Sequence, residues 1–249
     1  MLPITLFITY THMEDLHEAI RKAVQVPSLN HIIIAPYRDT PLDWEAELRL
    51  IDESRRWAAR EHLSVALHAG AVVPMTKALE LLQPGSTACC LAASPYVLLA
   101  MDGESQGTAS DIFYQLMLNG FQPILSTPEQ VLPGMHGASR LLHWMQKGVL
   151  SLSDLDSLSG LYGRSAWRQV RLLLHNHLIC FWGIRAENVA GNYDLSRQIQ
   201  KIFHAAGPDY GQDTLCRYPQ GLREHTVFYP SLPSRVAPIN KSLFSWFHH

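Results

Sequence analysis

Histidine is the residue type in this chain best suited to metal binding, and thirteen histidines are spread along the sequence. His175 and His177 form the H-x-H pair of the chain, between the end of a predicted helix and the start of the next strand. A cationic side chain at that position stabilises the carboxyl end of a helix. His68 lies nearer to a predicted site but has no acidic neighbour close in sequence. The histidines therefore predict helix-capping and surface roles.

The cysteines do not have the spacing of a catalytic or redox motif. No cysteine is followed by arginine in the C-x5-R pattern with which cysteine phosphatases surround a phosphate group, and there is no C-x-x-C pair. Serine-hydrolase elbows, P-loops and dinucleotide-binding motifs are also missing from the sequence. The four residues, which are Cys89, Cys90, Cys180 and Cys216, indicate reduced thiols in a cytoplasmic protein.

The elements that must position any site alternate between short apolar runs and amphipathic stretches. The apolar runs are continuous, which is typical of parallel strands buried on both faces. Repeated units of this size predict an α/β fold, a (β/α) barrel whose site lies on the loops after the strands. The predicted strands are Ile4–Thr9, His31–Ala35, Leu63–His68, Tyr96–Met101, Gln122–Ser126 and Leu178–Trp182. The predicted helices are Met13–Val24, Asp43–Glu61, Met75–Leu82, Thr108–Asn119, Gly137–Lys147 and Ser165–His175.

Composition excludes several classes of partner. Hydrophobic residues make up 47% of the chain, charged residues 17%, and the formal net charge is -2. So small a charge argues against binding to nucleic acid. No apolar run is long enough to span a bilayer, and the first residues lack the basic stretch of a signal peptide. The high apolar content predicts a large core and is compatible with a buried interface in a homo-oligomer.

The sequence predicts two regions, a barrel over residues 1–206 and a tail over residues 207–249. Helical periodicity is poor after about residue 206, and prolines become frequent. These prolines are Pro208, Pro219, Pro230, Pro233 and Pro238. The tail is therefore expected to be irregular, either packed on the barrel or extended from it.

Six stretches match the motifs of one family in order and spacing. They are HIIIAPYRD, LHAGAVV, LMLNGFQPILSTPEQ, SLSGLYG, the helix Arg164–Leu174 and FWGIRAEN. Over about residues 4–206 the chain thus resembles the polymerase-and-histidinol-phosphatase (PHP) barrels of the bacterial capsule-type tyrosine phosphatases, the CpsB/CapC/YwqE group. The resemblance implies a PHP-type (β/α) barrel similar to a distorted TIM barrel.

The resemblance also implies a metal site, and this chain departs from it. Members of the family hold a cluster of divalent metals, usually manganese, on His, Asp and Glu side chains at the strand ends. Other side chains stand at nearly all of these positions in this chain, namely Phe7, Thr9, Tyr37, Arg38, Val72, Ala100, Thr127, Arg185 and Glu187. We expect the family's metal cluster to be missing and no metal cofactor to be used. Manganese on rearranged ligands is the alternative.

The resemblance places a set of polar side chains where the metals would lie. The set is Tyr10, Tyr37, Arg38, Asp39, Asp102, Thr127, Glu129, Arg185 and Glu187. Arginine carries a permanent charge that can replace a metal's charge. We therefore expect Arg38 and Arg185 to point into the mouth of the barrel and to pair with some of the carboxylates. An ordinary ion-pair network, a pocket for an anion or phosphotyrosine-like group, and loops without a shared site all remain open.

The family's function guides the functional prediction. Its members dephosphorylate a tyrosine-rich tail of a membrane-associated kinase in capsule or exopolysaccharide synthesis. For this chain we predict a cytoplasmic pseudophosphatase, a binding or regulatory protein without catalytic residues. An active phosphatase with a rearranged metal site is the first alternative, and Glu129, Arg185 and Glu187 would then be its catalytic residues. A hydrolase of another class on the same barrel is the second.

Overall fold

The sheet of this protein has eight parallel strands. The computed structural model describes residues 2–37, 43–189 and 193–239. The strands are β1 (Ile4–Tyr10), β2 (Leu29–Pro36), β3 (Ala66–Ala69), β4 (Val72–Pro74), β5 (Tyr96–Ala100), β6 (Gln122–Ser126), β7 (Leu150–Asp154) and β8 (Phe181–Arg185). They lie in the order β3-β2-β1-β8-β7-β6-β5-β4, and every neighbouring pair is parallel.

The two edges of the sheet meet. The edge strands β3 and β4 are separated in the chain by only Gly70 and Ala71. A parallel bridge between Tyr37 and Val72 joins the end of β2 to the start of β4. Gly70 leaves room for Leu91 at this junction, because a Cβ atom there would lie 2.6 Å from Leu91 Cδ2 and the leucine side chain would have to shift. The sheet therefore curls into a distorted TIM-like barrel, which confirms the predicted fold class.

Helices surround the sheet. They are α1 (Met13–Ala23), α2 (Trp44–Arg60), α3 (Ala78–Leu81), α4 (Ala109–Leu118), α5 (Pro128–Val131), α6 (Gly134–Met145), α7 (Leu155–Ser159), α8 (Gly163–His175), α9 (Leu195–Ala206), α10 (Pro208–Gln212) and α11 (Tyr218–Arg223). The longest, α2, begins after Asp43, whose carboxylate accepts a hydrogen bond from Ala46 N at 3.1 Å. No helix in the described ranges is long and apolar enough to cross a membrane.

The prediction missed strands β4 and β7 and started β3 and β8 too early in the chain. Strand β7 was missed because its sequence, LSLSD, alternates apolar and polar residues, although all five side chains are buried. The Ser151 hydroxyl is accommodated there by donating to the Leu178 carbonyl at 2.6 Å. Strand β8 begins at Phe181 and extends to Arg185, three residues later than predicted. The apolar run from Leu178 marks burial, but its first residues only lead into the strand.

Part of the tail is helical, and the prediction of an irregular segment is wrong there. Helices α10 and α11 flank a π-helical segment, Asp213–Arg217. Pro208 and Pro219 stand at the start of α10 and α11, where the missing N–H of proline is harmless. The Tyr210 hydroxyl accepts from Ile179 N at 2.9 Å and donates to Ile179 O at 2.6 Å. These helices therefore share the core of the barrel.

Candidate functional site

The candidate site is a small cavity at the carboxyl ends of the strands. Its volume is about 120 Å³. The carboxyl ends of parallel strands form the mouth of a barrel, which is where such folds place their sites. The lining residues include Thr9, Tyr37, Ala100, Ser126, Thr127, Gln130, Asp154, Gly183 and Arg185. Sequence reasoning predicted three of these, Tyr37, Thr127 and Arg185, as pocket residues.

Strand alternation decides which end residues reach the cavity. Phe7 lies against Phe181 in the barrel interior, with ring centroids 5.3 Å apart, and Thr9 on the same face of β1 lines the cavity. Tyr10 therefore points the other way, and its hydroxyl donates to Glu47 Oε2 at 3.0 Å on α2. Tyr10 is buried between the sheet and this helix. Its predicted place in the pocket is wrong, because it lies one residue out of register.

Arg185 supplies a positive charge at the mouth. It is the last residue of β8, it lies opposite Thr9 in the sheet register, and its side chain is exposed. The centre of its guanidinium group lies 5.7 Å from the ring centroid of Tyr37, within the range of a cation–π contact. Among the described residues, no carboxylate forms an ion pair with Arg185.

The predicted carboxylates are engaged elsewhere. Asp102 is exposed and closes a turn, accepting from Ser105 N at 2.7 Å, and this hydrogen bond lowers its pKa. Glu187 accepts from Thr11 N. Glu129 lies in the interior, away from solvent. The structure thus does not bring these three carboxylates to Arg185, and Arg38 and Asp39 fall outside the described residues.

Glu129 is a fully buried carboxylate with a complete set of donors. Its Oε1 atom accepts from Asp154 N at 2.9 Å and from the Ser157 hydroxyl at 2.8 Å, and Oε2 accepts from the Ser153 hydroxyl at 2.9 Å. Burial raises the pKa of Glu129, and the three hydrogen bonds oppose that shift. The arrangement links α5 to the end of β7 and the start of α7.

Asp154 and Asp156, which sequence reasoning did not select, extend this network. Asp154 Oδ1 accepts from Asp156 N at 2.8 Å, and Asp154 Oδ2 accepts from the Tyr162 hydroxyl at 3.2 Å. Asn188 Nδ2 donates to Asp156 Oδ2 and to the Tyr162 oxygen, each at 2.8 Å. The buried Tyr193 hydroxyl faces the same group: burial raises the pKa of Tyr193, and the neighbouring Asp156 adds to the shift. The missed signal was the position of Asp154, directly at the end of a strand.

Thr127 holds the turn between β6 and α5 in an uncommon conformation. Its backbone lies in the left-handed region, with φ 46° and ψ 51°. Such a conformation is rare for a β-branched residue and is concentrated at functional sites. Its N–H donates to Leu152 O at 2.7 Å, which fixes the turn to the neighbouring strand. Thr127 thereby lines the cavity while Glu129, two residues later, points into the interior.

None of the described histidines lines the cavity at the mouth. His68 Nε2 lies 3.2 Å from His31 Nδ1, and Arg223 approaches the same Nδ1 atom at 3.3 Å. Burial lowers the pKa of His68 to about 4, with the neighbouring cationic groups adding to the shift. His68 is therefore neutral and half-buried in a histidine pair, rather than a capping or surface residue as predicted.

The chain matches the family described as capsular polysaccharide synthesis, CpsB/CapC, over residues 11–222. This match covers most of the chain, and the protein belongs to the CpsB/CapC family. It is also 32% identical over 81 residues to the tyrosine-protein phosphatase YwqE of Bacillus subtilis (strain 168). That match spans 32% of this chain and 32% of the relative, so it covers about a third of the relative's length.

A solved structure shares the fold. The chain superimposes with a TM-score of 0.72 and 20% sequence identity, covering 90% of this chain and 92% of the other. The solved structure belongs to a study of YwqE from Bacillus subtilis and CpsB from Streptococcus pneumoniae, described as metal-dependent tyrosine phosphatases. The prediction that no metal cofactor is used is therefore wrong as drawn from the family. That prediction considered only the positions at which the family places its metal ligands. Ligands at other positions of the chain were not considered.

The described residues that line the cavity do not fit the metal cluster that the family resemblance implies. A divalent cluster needs several carboxylate or imidazole donors that converge on one cavity. The described lining offers one carboxylate, Asp154, together with hydroxyls, an amide and the Arg185 guanidinium. No group of three or more His, Cys, Asp or Glu side chains in the described part of the chain could hold a metal ion. The donor set suits an anion better than a cation.

Proposed function

We propose that this protein binds phosphorylated tyrosine at the barrel mouth and is impaired in hydrolysing it, acting as a binding or regulatory protein in capsular or exopolysaccharide synthesis. Membership of the CpsB/CapC family supports the pathway. The observation that carries the proposal is the Arg185 guanidinium over the Tyr37 ring at the edge of the cavity.

The chemistry of the mouth favours a phosphate monoester. Arginine presents a planar set of donors that matches two phosphate oxygens, and Arg185 has no competing carboxylate among the described residues. Tyr37 is 39% exposed beside it and offers an aromatic surface to the phenyl ring of the ligand. Charge and ring stacking together suit phosphotyrosine better than an alkyl phosphate.

The nucleophiles available in the described residues are weak, which supports impaired hydrolysis. Burial raises the pKa of the Cys89 thiol to about 11 and that of Cys90 to about 12, so neither forms a thiolate at neutral pH. No cysteine is among the residues that line the cavity. Metal-assisted attack by water needs ligands around the phosphate, and Asp154 is the one carboxylate of the described lining.

We further propose that the ligand is a phosphorylated, tyrosine-rich tail of a kinase in the polysaccharide-synthesis complex. The protein would bind this tail in the cytoplasm. The resemblance to the family motivates this partner. Its phosphotyrosines would enter from solvent, and both Arg185 and Tyr37 are exposed to it. The alternative is an active, metal-dependent phosphatase with rearranged ligands. The fold shared with proteins described as metal-dependent tyrosine phosphatases favours that alternative.

The binding half of the proposal is tested with a phosphotyrosine peptide and isothermal titration calorimetry. Arg185→Met should weaken binding by at least ~10-fold, because a hydrogen-bonded charge pair with phosphate is lost. Arg185 is exposed and forms no ion pair with the described carboxylates, so the variant should melt like the wild type. Arg21→Met is the matched control, since Arg21 also lies over an aromatic ring, 5.1 Å from the Trp57 centroid. Equal affinity of Arg185→Met and wild type would refute the proposal.

The hydrolytic half is tested by turnover of p-nitrophenyl phosphate with and without added manganese. We expect a rate near background under both conditions. A rate that rises with manganese and falls on replacing a residue of the mouth would establish the active phosphatase instead. Binding and turnover are independent readouts, so each half of the proposal can fail alone.

A further inference from the structure

Asp154 is a buried acidic residue on the floor of the candidate site. It is the last residue of β7, only 2% exposed, and it lines the cavity that also contains Arg185. A carboxylate beside a site that attracts anions would oppose their binding. Its protonation state therefore decides what the cavity can bind.

The groups around Asp154 are mostly acidic or phenolic. Five titratable groups face Asp154 or the residues bonded to it. They are Glu129 on α5, Asp156 on α7, Tyr162 just before α8, Tyr193 before α9 and Arg185 on β8. Within the described residues, none of the three carboxylates forms an ion pair. Three buried carboxylates that lack an ion-pair partner cannot all be ionised at low energetic cost.

The hydrogen-bond geometry indicates where the proton is held. Glu129 accepts from three donors, the arrangement that stabilises an ionised carboxylate. Asp154 accepts from one backbone N–H and, at 3.2 Å, from one hydroxyl. Burial, with the nearby charge of Asp156 second, raises the pKa of Asp154 well above its usual value. Of the three carboxylates, Asp154 is the one among the described residues that lines the cavity, so it is the one that can direct a proton at a bound ligand.

We infer that Asp154, as a neutral carboxylic acid, is a specificity-determining hydrogen-bond donor to a phosphate monoester held by Arg185. This inference rests on the proposed function and adds a residue on the floor of the cavity that hydrogen-bonds to the ligand. A carboxylic acid donates to an oxygen that is unprotonated, whereas a carboxylate repels it. The mouth would then accept anionic oxygens at two points, the guanidinium at the rim and the acid on the floor. Tyr162 and Asn188 hold the acid in position.

The test measures binding of phenyl phosphate by calorimetry to the wild type, Asp154→Asn and Asp154→Ala. Asparagine keeps the shape and a donor, so Asp154→Asn should bind within about two-fold of wild type at neutral pH. Asp154→Ala removes the donor and should bind ~10-fold more weakly. As pH rises, wild-type affinity should fall relative to that of Asp154→Asn, whose profile reports the titration of the ligand alone. Asp111→Asn, exposed on α4, is the control.

Several results would overturn the inference. Tighter binding by both variants would mean that Asp154 is ionised and repels the ligand. Unchanged binding by both, with binding lost in Arg185→Met, would mean that Asp154 does not touch the ligand while the proposed function stands. Absence of binding by the wild type would overturn both. If Asp154→Ala fails to fold, the affinity and pH profile of the isosteric Asp154→Asn still decide.

Discussion

Two neighbouring buried carboxylates, Glu129 on α5 and Asp154 at the end of β7, differ in their hydrogen-bond donors. Glu129 has a hydrogen-bond donor for each of three lone pairs, whereas Asp154 shares its environment with Asp156 and receives fewer donors. Glu129 has more donors because two serines, Ser153 and Ser157 on either side of the strand end, donate their hydroxyl groups to it. Charge is therefore distributed in this site by neutral hydroxyl groups.

The protonated Asp154 makes stability depend on pH. Its pKa is raised in the folded protein, so above the ordinary aspartate pKa of about 4 the unfolded chain binds fewer protons than the native state. The free energy of unfolding should therefore fall as pH rises from about 4 through the folded pKa, by up to ~1.4 kcal/mol per pH unit. Urea unfolding across this range should show a shallower fall for Asp154→Asn than for wild type or Asp111→Asn. Equal slopes in all three proteins would contradict the assignment.

The positions of individual side chains were harder to predict from the sequence than the strands and helices. Arg185, Tyr37 and Thr127 were predicted to line a pocket, and all three line the cavity at the mouth. That this cavity is a functional site stays a prediction. Asp154 was missed because its strand, interrupted by two serines, does not have the continuous apolar pattern of the others. Tyr10 was misplaced because a list of strand-end residues does not say which face each one occupies.

At the scale of elements, the junction of α5 and α6 fixes the turn that carries Thr127 and Glu129. The backbone of Leu132 packs directly onto α6 at Gly137, so close that a Cβ atom there would overlap the Leu132 carbonyl group. Backbone atoms at such a contact cannot move aside as a side chain can. Gly137 was predicted only as the start of a helix that in fact begins at Gly134. The periodicity of apolar residues locates helices, but it carries no information on such close approaches.

Gly137→Ala should therefore be strongly destabilising. We expect a loss of about 3 kcal/mol in the free energy of unfolding, at the upper end of the usual cost of overpacking, because the clash is with main chain. Gly103→Ala is the matched control, since a Cβ atom at Gly103 would meet nothing within 4 Å. Chemical denaturation of the three proteins measures the difference. A Gly137→Ala protein as stable as the control would mean that the α5–α6 junction is more open than described.

At the scale of the whole molecule, the barrel and the helices after residue 207 form a shared core. Trp182 Nε1 on β8 donates to the Thr214 hydroxyl at 3.1 Å, and Tyr210 bonds to both backbone groups of Ile179. Phe228 lies against Phe181, the first residue of β8, with ring centroids 5.8 Å apart. The barrel class could be predicted from the apolar strands, but this docking could not, because it depends on contacts between distant parts of the chain.

Tyr210→Phe tests the shared core. Removing the hydroxyl leaves the buried Ile179 N–H without its acceptor, and we expect a loss of ~1–3 kcal/mol in the free energy of unfolding. Unfolding should remain a single transition, because the helices and barrel unfold together. Tyr229→Phe, at a side chain that is 87% exposed, is the control and should be neutral. A separate early transition for the carboxyl-terminal helices would show that they fold independently of the barrel.

The pairing of β1 with β8 has a consequence for how the protein is made. Phe7 lies opposite Gly183 and Thr9 opposite Arg185, so the first strand needs a neighbour from far along the chain. During translation β1 can pair with β2 early, but its other edge stays open until residue 185 has left the ribosome. An open, apolar strand edge is a template for pairing with other chains. The nascent protein is thus most exposed to misassembly during the synthesis of its middle part, when this edge has formed and its partner does not yet exist.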